Sequence, residues 1–528
     1  MNENPDTTPS NADRLNELTS WDADWAGLRV VVTGIGVSGF SAADTLIELG
    51  AKVVVVDAAT SAKAEAQADT LKIVGGPLMC CWGGGSRYGT PTDRRTIARS
   101  CGDLAGGVAP RPSPACRGEA EAHRCLGGDV ELAWRLRERA GRKTADWLTI
   151  TGTNGKTTTV GMAESMLQAA GLKAIAVGNV GTPILDALRD PVDYDAFAVE
   201  LSSFQLHWSH SLSPVASVCL NVAEDHVDWH GSYASYLADK AKVYENTQKA
   251  AIYNADQIET ERMVENADVV EGCRAIGFTT NTPAVSMLGV VEGLLVDRAF
   301  IAERKDSAAE LAAMSDLGPV APRHMVANAL AAAALVRAYG IDPAAVKQGL
   351  VNYLPGAHRI QLVANHNDVL WINDSKATNP HAASAALSAF QQVVWIAGGL
   401  SKGVNYDDLV KEHAPRLKAV VLIGTDTEAL EGGPSNDTRR MSPVIAPPKG
   451  DTEGVQTAAS DAASPIYGET IMAQAVASAA GVATPGDTVL MAPAAASMDQ
   501  FSSYAHRGDA FVLAVRELVE GQAPTTEE

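Results

Sequence analysis

The chain of 528 residues has few cysteines, no excess of basic residues and no long apolar run. Seven cysteines in that length exclude a scaffold built from disulfides. Lysine and arginine total 42 against 63 acidic residues, a net charge of −21, so we expect no nucleic-acid partner. No apolar run reaches the roughly 18 residues of a membrane span, and the acidic N-terminus lacks the features of a signal peptide. These absences predict a cytoplasmic protein without membrane contact.

What is present is an alternation of apolar strands with helices, which predicts an α/β protein. The pattern divides into three α/β units, at residues 21–146, 147–322 and 323–528. Residues 1–20 are polar and are predicted to be a disordered tail. Residues 432–462 are polar and rich in proline and glycine, which indicates an inserted surface loop.

Two glycine-rich loops each follow a strand and open a helix. The first, Gly34–Gly39, has the G-x-G-x-x-G pattern, and Asp57 ends the next strand. It predicts a site for a nucleotide or its diphosphate, with a purely structural turn as the alternative. The second, Thr151–Thr158, reads TGTNGKTT and predicts a triphosphate site. Its lysine would reach the β- and γ-phosphates, and the next hydroxyl would bind Mg²⁺.

Polar residues also follow several strands of the second and third units. Glu200 ends the strand AFAVE, and His226 lies in NVAEDHVD, so both are candidate Mg²⁺ ligands beside the phosphate loop. In the third unit the polar strings are HR at 358–359, NDSKATN at 373–379, GGLSKG at 398–403 and ASMDQF at 496–501. Ligands bind at the carboxyl ends of strands in open α/β sheets, so these strings predict a second cluster of ligand contacts.

Together these strings resemble the Mur ligase family. TGTNGKT is typical of the whole family, whereas ELSSFQL, NDSKATN and ASMDQF resemble its D-glutamate-adding branch. The resemblance implies a Rossmann-like N-terminal domain for a uridine nucleotide, a central P-loop ATPase domain with a mainly parallel sheet, and a Rossmann-like C-terminal domain. It also implies an ATP-dependent ligase of peptidoglycan synthesis that uses Mg²⁺. That ligase would be a monomer that adds D-glutamate to UDP-N-acetylmuramoyl-L-alanine through an acyl phosphate.

The resemblance further implies roles for individual residues. The catalytic residues would be Lys156, His226 and Lys240, and ATP would bind Gly152, Thr153, Asn154, Gly155, Lys156, Thr157, Thr158, Asn328, Arg359 and Asp374. Thr157 and Glu200 would ligate one Mg²⁺ and His226 the other, and a carbamylated Lys240 would also serve as a metal ligand, with Lys242 as the alternative register for that lysine. Uridine diphosphate would contact Gly36, Ser38, Gly39 and Asp57, and the muramoyl-alanine part Asn179, Ser203 and Gln205. D-glutamate would contact Lys376, Thr378, Lys402, Ser497 and Tyr504.

Residues 73–127 interrupt both the α/β rhythm and the resemblance. Five of the seven cysteines lie there, among many arginines, glycines and prolines. Our hypothesis is a pair of compensating frameshifts in the gene or its record. One alternative is a lineage-specific loop. The other is a zinc site, although no C-x-x-C pair occurs among its candidate ligands, which are Cys80, Cys81, Cys101, Cys116, His123 and Cys125.

Three other functions stay open at this stage. One is a different Mur-type or folylpolyglutamate-type ligase on the same ATPase core. Another is a nicotinamide dehydrogenase built on the first glycine loop, which the phosphate loop argues against. The third is a catalytically impaired remnant that binds nucleotide without forming an amide.

Overall fold

The computed structural model describes residues 15–57, 61–74, 80–82, 126–318, 321–400, 404–425 and 465–521. These residues form three separate sheets, of three, nine and five strands, with helices between the strands, so the predicted α/β class is confirmed. None of the helices in these ranges is long and apolar enough to cross a lipid bilayer. The unusual stretch 73–127 and the predicted loop 432–462 lie mostly or wholly outside the described residues.

The first sheet has the parallel order β1-β2-β3. Its elements are β1 (Arg29–Thr33), α1 (Val37–Glu48), β2 (Lys52–Asp57), α2 (Ala62–Ile73) and β3 (Cys80–Trp82), followed by α3 (Asp129–Leu136). The valine-rich runs of β1 and β2 suit a sheet that is buried on both faces. The predicted disordered tail is wrong for its last residues, because Leu18 is buried and Arg135 donates a hydrogen bond to the Leu15 carbonyl.

The second sheet has the order β12-β11-β10-β9-β8-β7-β4-β6-β5. Its strands from β4 to β10 run parallel, and β11 and β12 are antiparallel additions at one edge. In chain order its elements are β4 (Asp146–Thr151), α4 (Lys156–Ala169), β5 (Ala174–Gly178), α5 (Ile184–Arg189), β6 (Ala196–Glu200), α6 (Ser203–His207), β7 (Ala216–Cys219), α7 (Val227–His230), α8 (Tyr233–Ala241), β8 (Ala250–Asn254), α9 (Ile258–Glu265), β9 (Arg274–Phe278), β10 (Met287–Val291), β11 (Leu294–Asp297) and β12 (Ala309–Ala313).

Two helices, α10 (Arg323–Tyr339) and α11 (Pro343–Asn352), follow this sheet. The central alanines of α10, at 329 and 331–334, are fully buried, and α11 packs so closely on α4 that a side chain at Gly349 would overlap the backbone of Met166. Small residues therefore set the distance between these helices and the phosphate-loop helix.

The third sheet has the order β13-β14-β17-β15-β16, parallel except for the edge strand β13. Its elements are β13 (Gln361–His366), β14 (Val369–Asn373), α12 (Pro380–Leu387), β15 (Val393–Gly398), α13 (Asp407–His413), β16 (Leu417–Ile423), α14 (Pro465–Val482), β17 (Thr488–Met491) and α15 (Tyr504–Gly521).

Contacts divide the chain into two compact units rather than three. The first unit contains residues 1–316 and 327–353, and the second contains 317–326 and 354–528. Most of α10 and all of α11 therefore group with the first two sheets, whereas the boundary predicted at residue 323 assigned them to the third domain. The boundary predicted at 146/147 lies where the chain passes from the first sheet to the second, although contacts group both sheets in one unit.

Candidate active site

The second glycine-rich loop joins β4 to α4, as its sequence predicts. Gly152 and Gly155 have φ of 155° and 85°, a region that side chains disfavour. A Cβ at Gly155 would also overlap Oδ1 of Asn328, the predicted ATP residue on α10. Asn221, after β7, pairs in both directions with the backbone of Asn154, at 2.9 and 3.0 Å. The loop is therefore held open by glycine geometry and by hydrogen bonds from the neighbouring strand end.

Two lysines converge on this loop. Lys156 Nζ and Lys240 Nζ each donate a 2.8 Å hydrogen bond to the carbonyl oxygen of Gly152. Lys240 is 2% exposed, and burial, together with the positive charge of Lys156, lowers the pKa of its amine to about 7. A substantial fraction of Lys240 is therefore uncharged at neutral pH, which is unusual for lysine and typical of functional sites.

Glu200 lies at the end of β6, buried, beside these lysines. Its Oε1 accepts a hydrogen bond from Asn179 Nδ2 at 3.1 Å, whereas its Oε2 has no hydrogen-bond partner although it is buried. A buried carboxylate oxygen without a donor is costly unless a cation or a ligand satisfies it. The predicted metal ligand Glu200 and the predicted substrate contact Asn179 therefore bond to each other, which leaves one oxygen of Glu200 for a ligand.

His226 precedes α7 in a left-handed conformation, with φ of 52°. Its ring packs on Phe204 with centroids 4.9 Å apart, and its side chain is half-exposed. Burial lowers the pKa of the His226 imidazole, and the negative charge of Asp225 opposes this effect. The positive charges of Lys156 and Lys240 lower the same pKa further. The neutral ring that results is the form that can ligate a metal.

The described residues contain no cluster of three His, Cys, Asp or Glu side chains that could hold a metal alone. The predicted ligand set does not need one, since it combines Glu200 and His226 with the Thr157 hydroxyl and a modified Lys240. Mg²⁺ usually keeps several waters and takes phosphate oxygens, so a sparse protein contribution suits it. The partnerless Oε2 of Glu200 is the feature that fits such a cation.

The segment ELSSFQL forms the start of α6. Ser202 and Gln205 make a capping box, and Gln205 Nε2 donates to Asp129 Oδ2 at 3.2 Å. The hydroxyl of Ser38, from the first glycine-rich loop, also bonds to Asp129, whose carboxyl pKa burial raises. Asp129 thus joins two predicted substrate residues, Ser38 on α1 and Gln205 on α6. Ser203 is buried and bonds to His230, so Ser202 is the more accessible serine of the pair.

The first glycine-rich loop has the close approach that its pattern predicts. A side chain at Gly39 would overlap the carbonyl of Gly34, and Gly36 is the N-cap of α1. Asp57 Oδ2 accepts a 2.7 Å hydrogen bond from the backbone N–H of Ile35. Asp57 therefore shapes the loop directly, a role that its spacing alone did not indicate.

In the second unit most of the predicted residues follow the carboxyl ends of β14 and β17, whereas Arg359 precedes β13. Asp374 is buried, and burial raises the pKa of its carboxyl to about 7. The carboxyl accepts a 3.2 Å hydrogen bond from Ile360 N, and the positive charge of Arg359 acts in the opposite direction to burial. Lys376 Nζ lies 3.9 Å from the ring centroid of Tyr504. The other predicted residues here are Thr378, whose N–H bonds to the Lys376 carbonyl, and the buried Ser497. Lys402 lies outside the described residues.

Sequence reasoning missed several residues that organise these loops. Arg507 is fully buried, donates to Ser375 and Ala495, and has its pKa lowered by burial to about 9. Tyr236 bonds to Thr153 Oγ1 at 2.8 Å and lies under Lys240 Nζ, 4.9 Å from its ring centroid. Tyr236 is four residues before Lys240, a helical spacing that could have indicated the pair. No local signal marks Arg507, because its partners are distant in sequence.

Comparison with known proteins identifies the family of the chain. Residues 150–336 match the Mur ligase middle domain, and residues 358–495 match the Mur ligase, glutamate ligase domain. A UDP-N-acetylmuramoylalanine–D-glutamate ligase of Leifsonia xyli subsp. xyli is 47% identical over 527 residues, covering 97% of this chain and 96% of the relative. The enzyme of that name from Streptomyces coelicolor is 48% identical over 496 residues, covering 94% and 99%.

A pseudomurein peptide ligase type C from Methanothermus fervidus has a similar fold, with a TM-score of 0.51 and 17% identity over 94% of this chain and all of that one. The fold and the phosphate-loop site define an ATP-dependent ligase that forms C–N bonds. The chain belongs to the Mur ligase family.

Proposed function

We propose that this protein joins D-glutamate to UDP-N-acetylmuramoyl-L-alanine at the expense of ATP, a step of peptidoglycan precursor synthesis. The structural observation that carries the proposal is the convergence of Lys156, Lys240, Glu200 and His226 around the phosphate loop. The names of relatives that align over nearly the whole chain support this choice of acceptor and amino acid.

The chemistry follows from the charges of the reactants. The alanyl carboxylate is a poor electrophile, so it first takes the γ-phosphoryl group of ATP and becomes an acyl phosphate. The uncharged amine of D-glutamate then attacks the acyl carbon. The tetrahedral intermediate collapses to an amide and inorganic phosphate, and the amine loses a proton. Lys156 and the backbone N–H groups of the loop would counter the negative charge that opposes the first step.

The residues around Glu200 fit a magnesium ion. Thr157 and Glu200 would hold it, with the partnerless Oε2 of Glu200 as the anionic ligand, and His226 would hold a second magnesium ion. Bound there, Mg²⁺ would screen the phosphate charges as a Lewis acid.

We further propose that Lys240 reacts with CO₂. Its uncharged amine would attack the carbon, the new N–C bond would form a carbamate, and one proton would be released. The product exchanges a buried cation for a carboxylate-like anion, which relieves the repulsion between Lys240 and Lys156. Burial protects the carbamate from water, since Lys240 is 2% exposed.

Phosphate release from Mg-ATP in the presence of UDP-N-acetylmuramoyl-L-alanine, with D-glutamate or L-glutamate, tests the proposed reaction. We expect release that requires D-glutamate and is lost in Lys156→Ala. Turnover with another amino acid would instead indicate a different Mur-type or folylpolyglutamate-type ligase. ATP binding without any amide product would indicate the impaired remnant.

A further inference from the structure

Three segments of the central domain, the first separated from the other two by β7, each carry one side chain of the proposed metal site. Glu200 ends β6 and leads into α6, His226 begins α7, and Lys240 lies near the end of α8. Of these segments only β6 belongs to a sheet. The helices α6, α7 and α8 make no sheet hydrogen bonds, so their relative placement depends on side-chain contacts.

One buried carboxylate joins all three segments. Asp239, on α8, is 7% exposed and accepts 2.9 Å hydrogen bonds from Nδ1 of His207 on α6 and from Nδ1 of His230 on α7. Its other oxygen lies 3.1 Å from Lys242 Nζ, and that lysine also donates to the His207 carbonyl. Because an ionised carboxylate only accepts, both histidines present Nδ1–H to it.

The connection continues from His230 towards the metal candidates. With Nδ1–H committed to Asp239, His230 Nε2 accepts the hydroxyl hydrogen of Ser203 at 3.0 Å. The His230 ring also stacks on Phe204, with an interplanar angle of 11°, and Phe204 in turn packs against the rings of His226 and Trp229. Asp239 thus reaches the surroundings of Glu200 and His226 through His230, while its own helix carries Lys240.

We propose that Asp239, acting through His207 and His230, is a positioning residue that fixes Glu200, His226 and Lys240 in the geometry of the metal site. Asp239 itself touches neither the phosphate loop nor the ligand oxygens; Lys240, the next residue, projects to Gly152 instead. This inference rests on the magnesium site of the proposed function. Hydrogen-bonded supports of metal ligands commonly change metal affinity by about 10- to 100-fold when removed.

Asp239→Ala and Asp239→Asn test the role. Mn²⁺ binding in the presence of ATP, followed by electron paramagnetic resonance, measures metal affinity without any turnover. We expect Asp239→Ala to bind Mn²⁺ about tenfold or more weakly. Asp239→Asn should lose less, because its amide oxygen still accepts from one histidine. Asp268→Asn, which removes an exposed carboxylate outside the network, is the matched control and should bind normally.

The kinetic constants separate positioning from general damage. We expect the KM for Mg²⁺ to rise in Asp239→Ala while the KM for D-glutamate stays unchanged. His230→Ala should reproduce the loss, and the double variant Asp239→Ala/His230→Ala should be no worse than either, because both act through one network. Unchanged Mn²⁺ affinity in a folded Asp239→Ala or Asp239→Asn, or equal rises in both KM values, would overturn the inference. Failure of the wild type to use D-glutamate would refute the proposed function but leave the Mn²⁺–ATP comparison valid.

Discussion

Burial of the Asp374 carboxyl group disfavours its ionised form. Its folded-state pKa is raised to about 7, above the usual value of 3.8, so the folded protein holds a proton that the unfolded chain releases. The contribution of Asp374 to the free energy of unfolding is therefore most favourable below pH 4 and is lost as the pH rises through 7. We expect Asp374→Asn, which can still accept from Ile360 N, to stabilise the protein at pH 8 by on the order of 2 kcal/mol.

Urea unfolding between pH 5 and 8 measures this effect. The difference from the wild type should grow with pH, and ATP-dependent turnover should fall because Asp374 is a predicted ATP contact. Asp408→Asn, at an exposed acid on α13, should change neither the free energy of unfolding nor its pH dependence appreciably. A pH-independent difference for Asp374→Asn would contradict the assignment of a protonated carboxyl.

Lys240 and Lys242 differ in burial, and this decides which should carry a carbamate. Lys240 is enclosed and its pKa is lowered to about 7, whereas Lys242 is paired with Asp239 near the surface. We expect enzyme equilibrated with ¹³C-bicarbonate to show one protected carbamate carbon resonance. The signal should vanish in Lys240→Arg and persist in Lys242→Arg; the reverse pattern would favour the alternative register.

The predictability of single residues from sequence depends on how local their partners are. The positions of Lys156 and Glu200 follow from a loop motif and a strand end, and the structure places both beside the carboxyl ends of strands in the second sheet. The burial of Ser203, in contrast, depends on the phase of a five-residue helix, which the string ELSSFQL does not specify. Asp239 has no motif at all, because its partners come from α6 and α7.

The turn between β4 and α4 combines two steric demands at Gly155. A side chain there would meet both the strain of φ at 85° and an overlap with Asn328. Gly171, at the other end of α4, has φ of 81°, and a Cβ placed there would meet no other atom within 4 Å. We therefore expect Gly171→Ala to cost roughly 1 kcal/mol of stability with normal activity. Gly155→Ala should cost more and abolish ATP binding.

Isothermal titration with a non-hydrolysable ATP analogue, beside thermal unfolding of both variants, separates strain from overlap. If both variants lost stability equally and both bound nucleotide, the contact between Gly155 and Asn328 would not constrain the loop.

Secondary-structure elements were predictable where apolar runs were long. The valine-rich β1 and β2 and the alanine-rich α10 stand out from their surroundings. The strands β9 to β12 were missed, because glycine or charged residues interrupt or bound their short apolar runs. Only β9 pairs with β8, and β10, β11 and β12 then extend the sheet in turn, so these strands depend on tertiary pairing through β9.

The whole chain aligns with its relatives over almost its full length, yet residues 73–127 lack the expected α/β rhythm. If this stretch is a reading-frame product, exchange for the corresponding segment of the Leifsonia relative should lower the KM for UDP-N-acetylmuramoyl-L-alanine. The KM values for ATP and D-glutamate should stay the same, since their predicted contacts lie elsewhere. Steady-state kinetics of the exchanged and original chains make the comparison; equal KM values for the uridine substrate would contradict the frameshift hypothesis.

The number of α/β sheets was predictable from the sequence, but the allocation of α10 was not. Its alanines indicate burial without indicating which neighbour buries them, and only contacts such as that of Asn328 with Gly155 assign it to the first unit.

The interruption of the second unit by residues 327–353 has a consequence for how such a protein can change over evolution. Since the chain leaves the second unit after residue 326 and re-enters it at 354, that unit is not one continuous stretch of gene. Recombination at a single breakpoint cannot exchange it for the corresponding unit of another ligase without also splitting a folded body. New specificity is therefore expected to arise by point substitution in the loops rather than by shuffling of cassettes.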